Sequence, residues 1–234
     1  MPAIKTSLVL LPGLLCDAAL WQPQIAALGD IAAASVADLT RHDSLAAMAA
    51  SVLAAAPEYF SLAGLSMGGY VAQEIMRQAP GRVRRLALLD TSARADTDEQ
   101  RARRRGLIEL AGHGEFKGVT PRLLPLFIHP DRLQDEPLVE IVTGMAERVG
   151  KDAFLRQEKA IMGRPDGRAD LKRIACPTLV LCGRHDALTP LAVHEEMAAA
   201  IRGTKLVVVE ESGHLPTLER PEAVNTAMRE WLAS

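Results

Sequence analysis

The run Phe60-Ser61-Leu62-Ala63-Gly64-Leu65-Ser66-Met67-Gly68-Gly69-Tyr70 leaves few ways for this chain to fold. Apolar residues lead into Gly64-Leu65-Ser66-Met67-Gly68, and a helical pattern leads out towards Ala79-Pro80. This reads as a strand, a tight turn with a serine at its tip, and a helix that starts at once. In such an elbow the serine backbone is strained, and glycines two before and two after let strand and helix approach closely. The hydroxyl then stands above the sheet at a helix N-terminus, which favours negative charge. By itself the motif also fits an ordinary strand–helix turn, so the rest of the chain has to decide.

Continuous apolar runs mark strands covered on both faces. They occur at residues 7–11, in the elbow strand, at Arg85–Leu89, at Pro177–Cys182 and at Lys205–Val209, with a weaker candidate at Ser35–Leu39. Between them lie helical patterns at Asp17–Leu28, from Asp43 or Ser44 to about Ala56, at Pro190–Ile201 and at Pro221–Leu232. Six strands alternating with helices predict an α/β fold, a doubly wound and mostly parallel sheet with right-handed crossovers. Residues 95–172 break that rhythm with helices expected at Glu99–Leu110, Arg122–Phe127, Asp135–Val149 and Asp152–Met162. The expected division is therefore a core of residues 1–94 and 173–234, with 95–172 inserted as a helical lid over the C-terminal edge of the strands. The arginines at 101, 103, 104 and 105 read as a solvated helix face.

Composition narrows the function classes. A formal net charge of −2, 24% charged residues and 3% aromatics give no basic footprint or stacking platform for nucleic acid. Cys16, Cys176 and Cys182 form neither a disulfide framework nor a zinc pattern, and reduced thiols in the cytoplasm fit best. The apolar N-terminal run resembles a signal peptide, but Pro12-Gly13 interrupts it and no small-residue cleavage site follows, so it reads as a buried strand. No run approaches the ~18 apolar residues that span a membrane. His113, His129 and His194 are scattered and no His-Glu-x-x-His occurs, so no metal or other cofactor is expected. The expected partner is a small-molecule substrate, with neither nucleic acid nor membrane, and self-association is left open.

If Ser66 is a nucleophile, an acid and a base should follow on later strand ends. The run at 177–182 ends in Gly183-Arg184-His185-Asp186, and the run at 205–209 is followed by Glu210-Glu211-Ser212-Gly213-His214. The order Ser66, Asp186, His214 is the one an elbow of this kind requires. His214 would take the Ser66 proton during attack on a carbonyl, and Asp186 would hold the imidazole tautomer. His185 and Asp90 are the competitors for base and acid. An oxyanion hole needs two backbone N–H groups. Met67 follows the nucleophile at the helix start, and Leu14 lies in the loop after the first strand, with Gly13 giving the backbone room.

These motifs together resemble the α/β-hydrolase family over nearly the whole chain. The resemblance rests on Leu11-Pro12-Gly13 with Trp21 downstream, Gly64-Leu65-Ser66-Met67-Gly68-Gly69, Cys176-Pro177-Thr178 through Gly183-Arg184-His185-Asp186, and Ser212-Gly213-His214 with Glu219-Arg220-Pro221. The chain looks most like the small capped members, among them carboxylesterases, enol-lactonases and carbon–carbon bond hydrolases. It departs in having Pro12-Gly13 where many members have His-Gly. It also has little room for the family's leading antiparallel strands, which are missing or reduced to residues 1–6.

The leading expectation is a serine hydrolase that cleaves a small carboxylic ester or lactone through an acyl-enzyme. Carbon–carbon bond hydrolysis and acyl transfer, including thioester cleavage, are alternatives on the same triad. A non-catalytic binding protein of the same fold is a third reading, of which a lost triad residue would be the mark. Within the insertion, Leu107, Leu124, Phe127, Ile141, Met145 and Phe154 are apolar candidates for lid packing, a minority of them for the substrate pocket. On this division the lid governs substrate choice and the sheet carries the chemistry.

Overall fold

A computed structural model describes residues 5–113 and 116–234. Of the expected remnant at residues 1–6, positions 1–4 lie outside the described residues, and Thr6 already belongs to the first strand. The strands are β1 (Thr6–Leu11), β2 (Ala32–Val36), β3 (Phe60–Leu65), β4 (Val83–Leu89), β5 (Thr178–Gly183) and β6 (Lys205–Val209). The helices in chain order are α1 (Gln22–Leu28), α2 (Leu45–Ala55), α3 (Met67–Gln78), α4 (Asp98–His113), α5 (Glu136–Met162), α6 (Arg168–Leu171), α7 (Leu191–Ala200), α8 (Pro216–Glu219) and α9 (Pro221–Ala233). The sheet runs β2-β1-β3-β4-β5-β6 and every pairing is parallel.

Alternate residues of each strand enter opposite cores, as the two-residue period of a strand demands. Leu8, Leu10, Leu65, Leu89 and Leu181 face one side, where Trp21, Leu28, Val224, Met228 and Trp231 of the α1 and α9 region cover them. Val9, Leu11, Leu62, Leu88 and Val180 face the other, against Met48 and Val52 of α2, Val71 and Ile75 of α3, and Met197 of α7. Burial on both faces explains why Leu62–Leu65 of β3 and Leu179–Cys182 of β5 read as unbroken apolar runs.

Local chemistry sets the element ends. The Ser44 hydroxyl caps α2 by accepting from Ala47 N–H at 3.3 Å, and Asp135 caps α5 through Leu138 N–H at 3.2 Å. Gly150, at φ 75° and ψ 174°, breaks α5 into the two helices expected there.

Three expectations need correction. The second strand lies at Ala32–Val36, not Ser35–Leu39. Alanine has little strand preference, so the sequence signal begins only near Val36, whereas pairing of Thr6–Leu8 with Ala32–Ala34 sets the real start. The helix expected at Arg122–Phe127 is a short 3-10 turn, Leu124–Leu126, because Pro125 removes an amide that a longer helix would need. The arginine run is only partly solvated. Arg104 turns inward to the buried Asp96 at 2.9 Å and Glu158 at 2.8 Å, while Arg103 and Arg105 stay exposed.

Chain order reverses at β1, which pairs with both β2 and β3. Ligands of open parallel sheets bind beyond the strands' C-terminal ends at such a switch point. The loop after β1 and the Ser66 turn after β3 both lie there. No helix among the described residues is long and apolar enough to cross a membrane.

Candidate active site

The elbow glycines are required by close backbone approach. A Cβ on Gly64 would overlap the Gly68 carbonyl, and a Cβ on Gly68 would overlap the Leu11 carbonyl. The same contacts draw α3 against the end of β1. Ser66 sits between them at φ 55° and ψ −115°, a left-handed backbone that a residue with a Cβ adopts only under constraint. The constraint is visible. Ser66 N–H donates to Leu89 O at 2.9 Å, and Ser66 O accepts from Gly69 N–H at 2.9 Å and from the Thr91 hydroxyl at 2.8 Å. The other non-glycine residues with positive φ among those described are Leu15, Asp90 and Glu211. They follow β1, β4 and β6, so backbone strain is confined to the C-terminal edge of the sheet, the pattern of a functional site.

Along that edge Ser66 Oγ lies 2.9 Å from His214 Nε2, and His214 Nδ1 lies 2.8 Å from Asp186 Oδ2. Burial works against ionisation of Asp186, but the adjacent His214 and the bonds from His214 and Thr189 outweigh it and bring the carboxyl down to about 2. An ionised Asp186 only accepts, so Nδ1 of His214 carries the proton and Nε2 is free to accept the Ser66 hydroxyl. Asp186 is itself held by Leu188 N–H at 2.8 Å, Thr189 N–H at 2.9 Å and the Thr189 hydroxyl at 2.6 Å.

Neither competitor joins this chain of bonds. The His185 side chain is exposed and its ring stacks edge-on against His129 at 4.5 Å. Asp90 is fully buried behind Asp186 and accepts from Gly183 N–H at 2.8 Å. Asp90, Asp186 and His214 do form a cluster of metal-ligand types within 4.8 Å, which the sequence pattern did not show. Asp186 and His214 are engaged by the hydrogen bonds just described.

Met67 N–H belongs to the first turn of α3, which has no partner inside the helix. Among the described residues neither it nor Leu14 N–H donates to a protein acceptor. A Cβ built on Gly13 would meet Ser66 Cβ at 3.4 Å, so this loop lies against the serine, in contact and without overlap. The Cys16 and Cys182 thiols are pushed up to about 12, chiefly by burial, and remain protonated beside the site.

Several residues that shape the site carried little signal in the sequence. Glu219 is buried and gathers the loop around His214: Oε1 accepts from Gly213 N–H at 2.8 Å, Leu215 N–H at 3.2 Å and the Ser212 hydroxyl at 3.2 Å, and Oε2 accepts from His129 N–H at 2.6 Å. Glu219-Arg220-Pro221 was visible as a motif, but not its role. His194 is also buried, and its Nε2 accepts from Thr91 N–H at 3.0 Å. Burial lowers His194 to about 4, so it stays neutral. Residues of the 95–172 stretch reach the site as well. His214 N–H donates to Phe127 O at 2.9 Å, and the two rings meet edge-on at 6.4 Å. Of the other lid candidates, Leu124 and Met145 are core and Ile141 is exposed.

Comparison with known proteins identifies the fold and the family. A pimeloyl-[acyl-carrier protein] methyl ester esterase of Vibrio campbellii is 27% identical over 97% of this chain and 94% of its own length. The structure of a thermophilic esterase from Thermogutta terrifontis superposes with a TM-score of 0.89 at 30% identity, covering 99% of this chain and 90% of that one. The enol-lactonase from Burkholderia xenovorans LB400 shares the fold, with a TM-score of 0.86 at 24% identity over 99% and 93% of the two chains. The family model described as "Alpha/beta hydrolase family" matches residues 8–227. The chain belongs to the alpha/beta hydrolase family.

Proposed function

We propose that this hydrolase cleaves a small carboxylic ester or lactone through an acyl-enzyme formed on Ser66. The observation that carries the reading is the continuous bonded chain Ser66–His214–Asp186 on a strained elbow. As Ser66 Oγ attacks the carbonyl carbon, His214 Nε2 takes the hydroxyl proton and Asp186 stabilises the imidazolium. The carbonyl oxygen becomes an oxyanion and accepts from Leu14 N–H and Met67 N–H. When the intermediate collapses, the bond to the alcohol oxygen breaks and His214 returns the proton to that oxygen. Water then repeats the cycle on the acyl-enzyme, releasing the acid and restoring Ser66. The esterase names of the relatives from Vibrio campbellii and Thermogutta terrifontis support an ester as the bond cleaved.

In this reading residues 95–172 are the cap, and Phe127 and Leu14 form apolar walls beside Ser66 and His214. The site residues come from one chain, so a small molecule is the only partner the reaction needs. Three free cysteines fit a reducing compartment, and we place the protein in the cytoplasm.

Turnover of p-nitrophenyl esters of graded acyl length, with lactones and thioesters alongside, tests the reading. Ser66→Ala and His214→Ala should each lower kcat by about 10⁴-fold or more, and the double variant should be little worse than either single one. Losses that multiply independently would show that His214 is not the base for Ser66.

A further inference from the structure

The loop after β1 closes as a turn in which Cys16 N–H donates to Gly13 O at 3.1 Å. Leu15, the third residue of that turn, has φ 59°, a state that normally calls for glycine or asparagine there. The central peptide of a turn can point either way, and its direction decides the sign of φ at that third residue. Two side chains hold this peptide: the Cys16 thiol donates to Leu14 O at 3.5 Å, and a distant residue holds the other end. Leu15 N–H donates to Oε1 of Gln157 at 3.1 Å. Gln157 lies on α5 beyond the Gly150 break and is fully buried, and its Nε2 donates to Leu39 O at 3.2 Å. The preceding Arg156 donates to Thr40 O at 2.8 Å, so this half of α5 is seated on the loops after both β1 and β2.

We propose that Gln157 is a positioning residue for the oxyanion hole: its carboxamide oxygen holds Leu15 N–H and thereby sets how the adjoining Leu14 N–H faces Ser66. The inference rests on the acyl-enzyme reading. Leu14 N–H lies in the preceding Gly13–Leu14 peptide. The Gln157 bond acts on it by seating the whole turn, Gly13 to Cys16, against Ser66. An oxyanion donor acts only when it lies about 2.7–3.1 Å from the oxygen that becomes charged. Gln157 therefore brings the insertion into the chemistry, where the sequence had suggested that only the sheet takes part. Its removal should be felt when charge develops and much less when substrate binds.

The test compares Gln157→Leu, which loses both bonds, with Gln157→Glu, which keeps an acceptor for Leu15 N–H but cannot donate to Leu39 O. Both are assayed for kcat and KM on p-nitrophenyl acetate and for inhibition by an alkyl trifluoromethyl ketone, whose hemiketal with serine carries the oxyanion. Gln157→Leu should lower kcat by about 10²-fold, with KM within about threefold and ketone inhibition weakened in proportion. Gln157→Glu should recover most of that loss. An unchanged kcat, a rise in KM alone, or equal damage in the two variants would overturn the role of Gln157. Should Gln157→Leu not fold, Gln157→Met takes its place with the same expectation, and failure of both to fold would assign Gln157 a purely structural role. Wild-type protein inert to both ester and ketone would instead overturn the acyl-enzyme reading itself.

Discussion

Asp90 and Asp186 hold carboxylate oxygens within 4.8 Å of each other and of a His214 ring nitrogen, with all three side chains buried. Two carboxylates so close in a buried site do not readily both ionise. Asp186 has the donors: His214, both Thr189 groups and Leu188 N–H. Asp90 has Gly183 N–H on Oδ1, while Oδ2 accepts from no donor among the described residues. Burial first, then the charge on Asp186, holds the Asp90 carboxyl well above the usual range. Asp90 is therefore the neutral member of the pair and Asp186 the charged one.

Asp90→Asn should leave kcat within about threefold, because the amide is neutral and still accepts from Gly183 N–H. Asp186→Asn should lower kcat by about 10³–10⁴-fold, since an amide facing Nδ1 favours the wrong tautomer. Steady-state kinetics on one ester decides between them. The opposite ranking would make Asp90 the group that orients His214.

His194 makes stability depend on pH. Its folded value of about 4 lies below the ordinary value of 6.5, so the unfolded chain binds its proton first on acidification. Its contribution is fully present above about pH 6.5 and is lost as pH falls towards 4, a difference on the order of 3 kcal/mol. Urea unfolding of wild type between pH 7 and 4 should show this loss, and His194→Gln should lack the matching part of the slope. Parallel curves for the two proteins would contradict it.

Glu219 should matter for stability and rate together. Glu219→Ala leaves three N–H groups and one hydroxyl around His214 without their acceptor, at about 3 kcal/mol in urea unfolding. The kcat of the folded fraction should also fall, because the Gly213 and Leu215 amides that flank His214 are released. An unchanged kcat would mean that Phe127 O and the packing alone fix the His214 loop.

The parts of this molecule that were legible in the sequence are those whose cause is local. β3 and β5 announce themselves because both of their faces are buried, and Ser66 because close backbone approach leaves no alternative to Gly64 and Gly68. Asp186 and His214 could be named because they follow strand ends, and parallel strands all end on one edge. β2 was misplaced because pairing with β1 overrides the weak preference of its alanines. Glu219 shows in the sequence only as part of Glu219-Arg220-Pro221 and Gln157 not at all, because their bonds are made in the folded state alone. The Gln157–Leu15 contact spans 142 positions. His129 and Phe127 join the His214 loop from residues 95–172, a stretch expected to govern only substrate choice.

Under the proposed function, Phe127 is where residues 95–172 should set specificity. It is half-buried, with its ring edge-on to His214 at 6.4 Å. Phe127→Ala should shift the preferred acyl length towards longer esters, with a change of about 1–3 kcal/mol in discrimination per methylene of misfit. Ile141→Ala, on the exposed face of α5, should not. Equal selectivity of wild type and Phe127→Ala across the ester series would remove Phe127 from the pocket.

The central claim is that Ser66 is the nucleophile, activated by His214. Its most direct test is covalent labelling by a small alkyl fluorophosphonate, read by intact mass and then by peptide mapping. Wild type should gain one phosphonyl group, located on the peptide containing Gly64-Leu65-Ser66-Met67-Gly68, with loss of ester turnover in step. Ser66→Ala should gain none, and His214→Ala should label slower by orders of magnitude. An adduct on another residue, or full loss of turnover with Ser66 unmodified, would contradict the account.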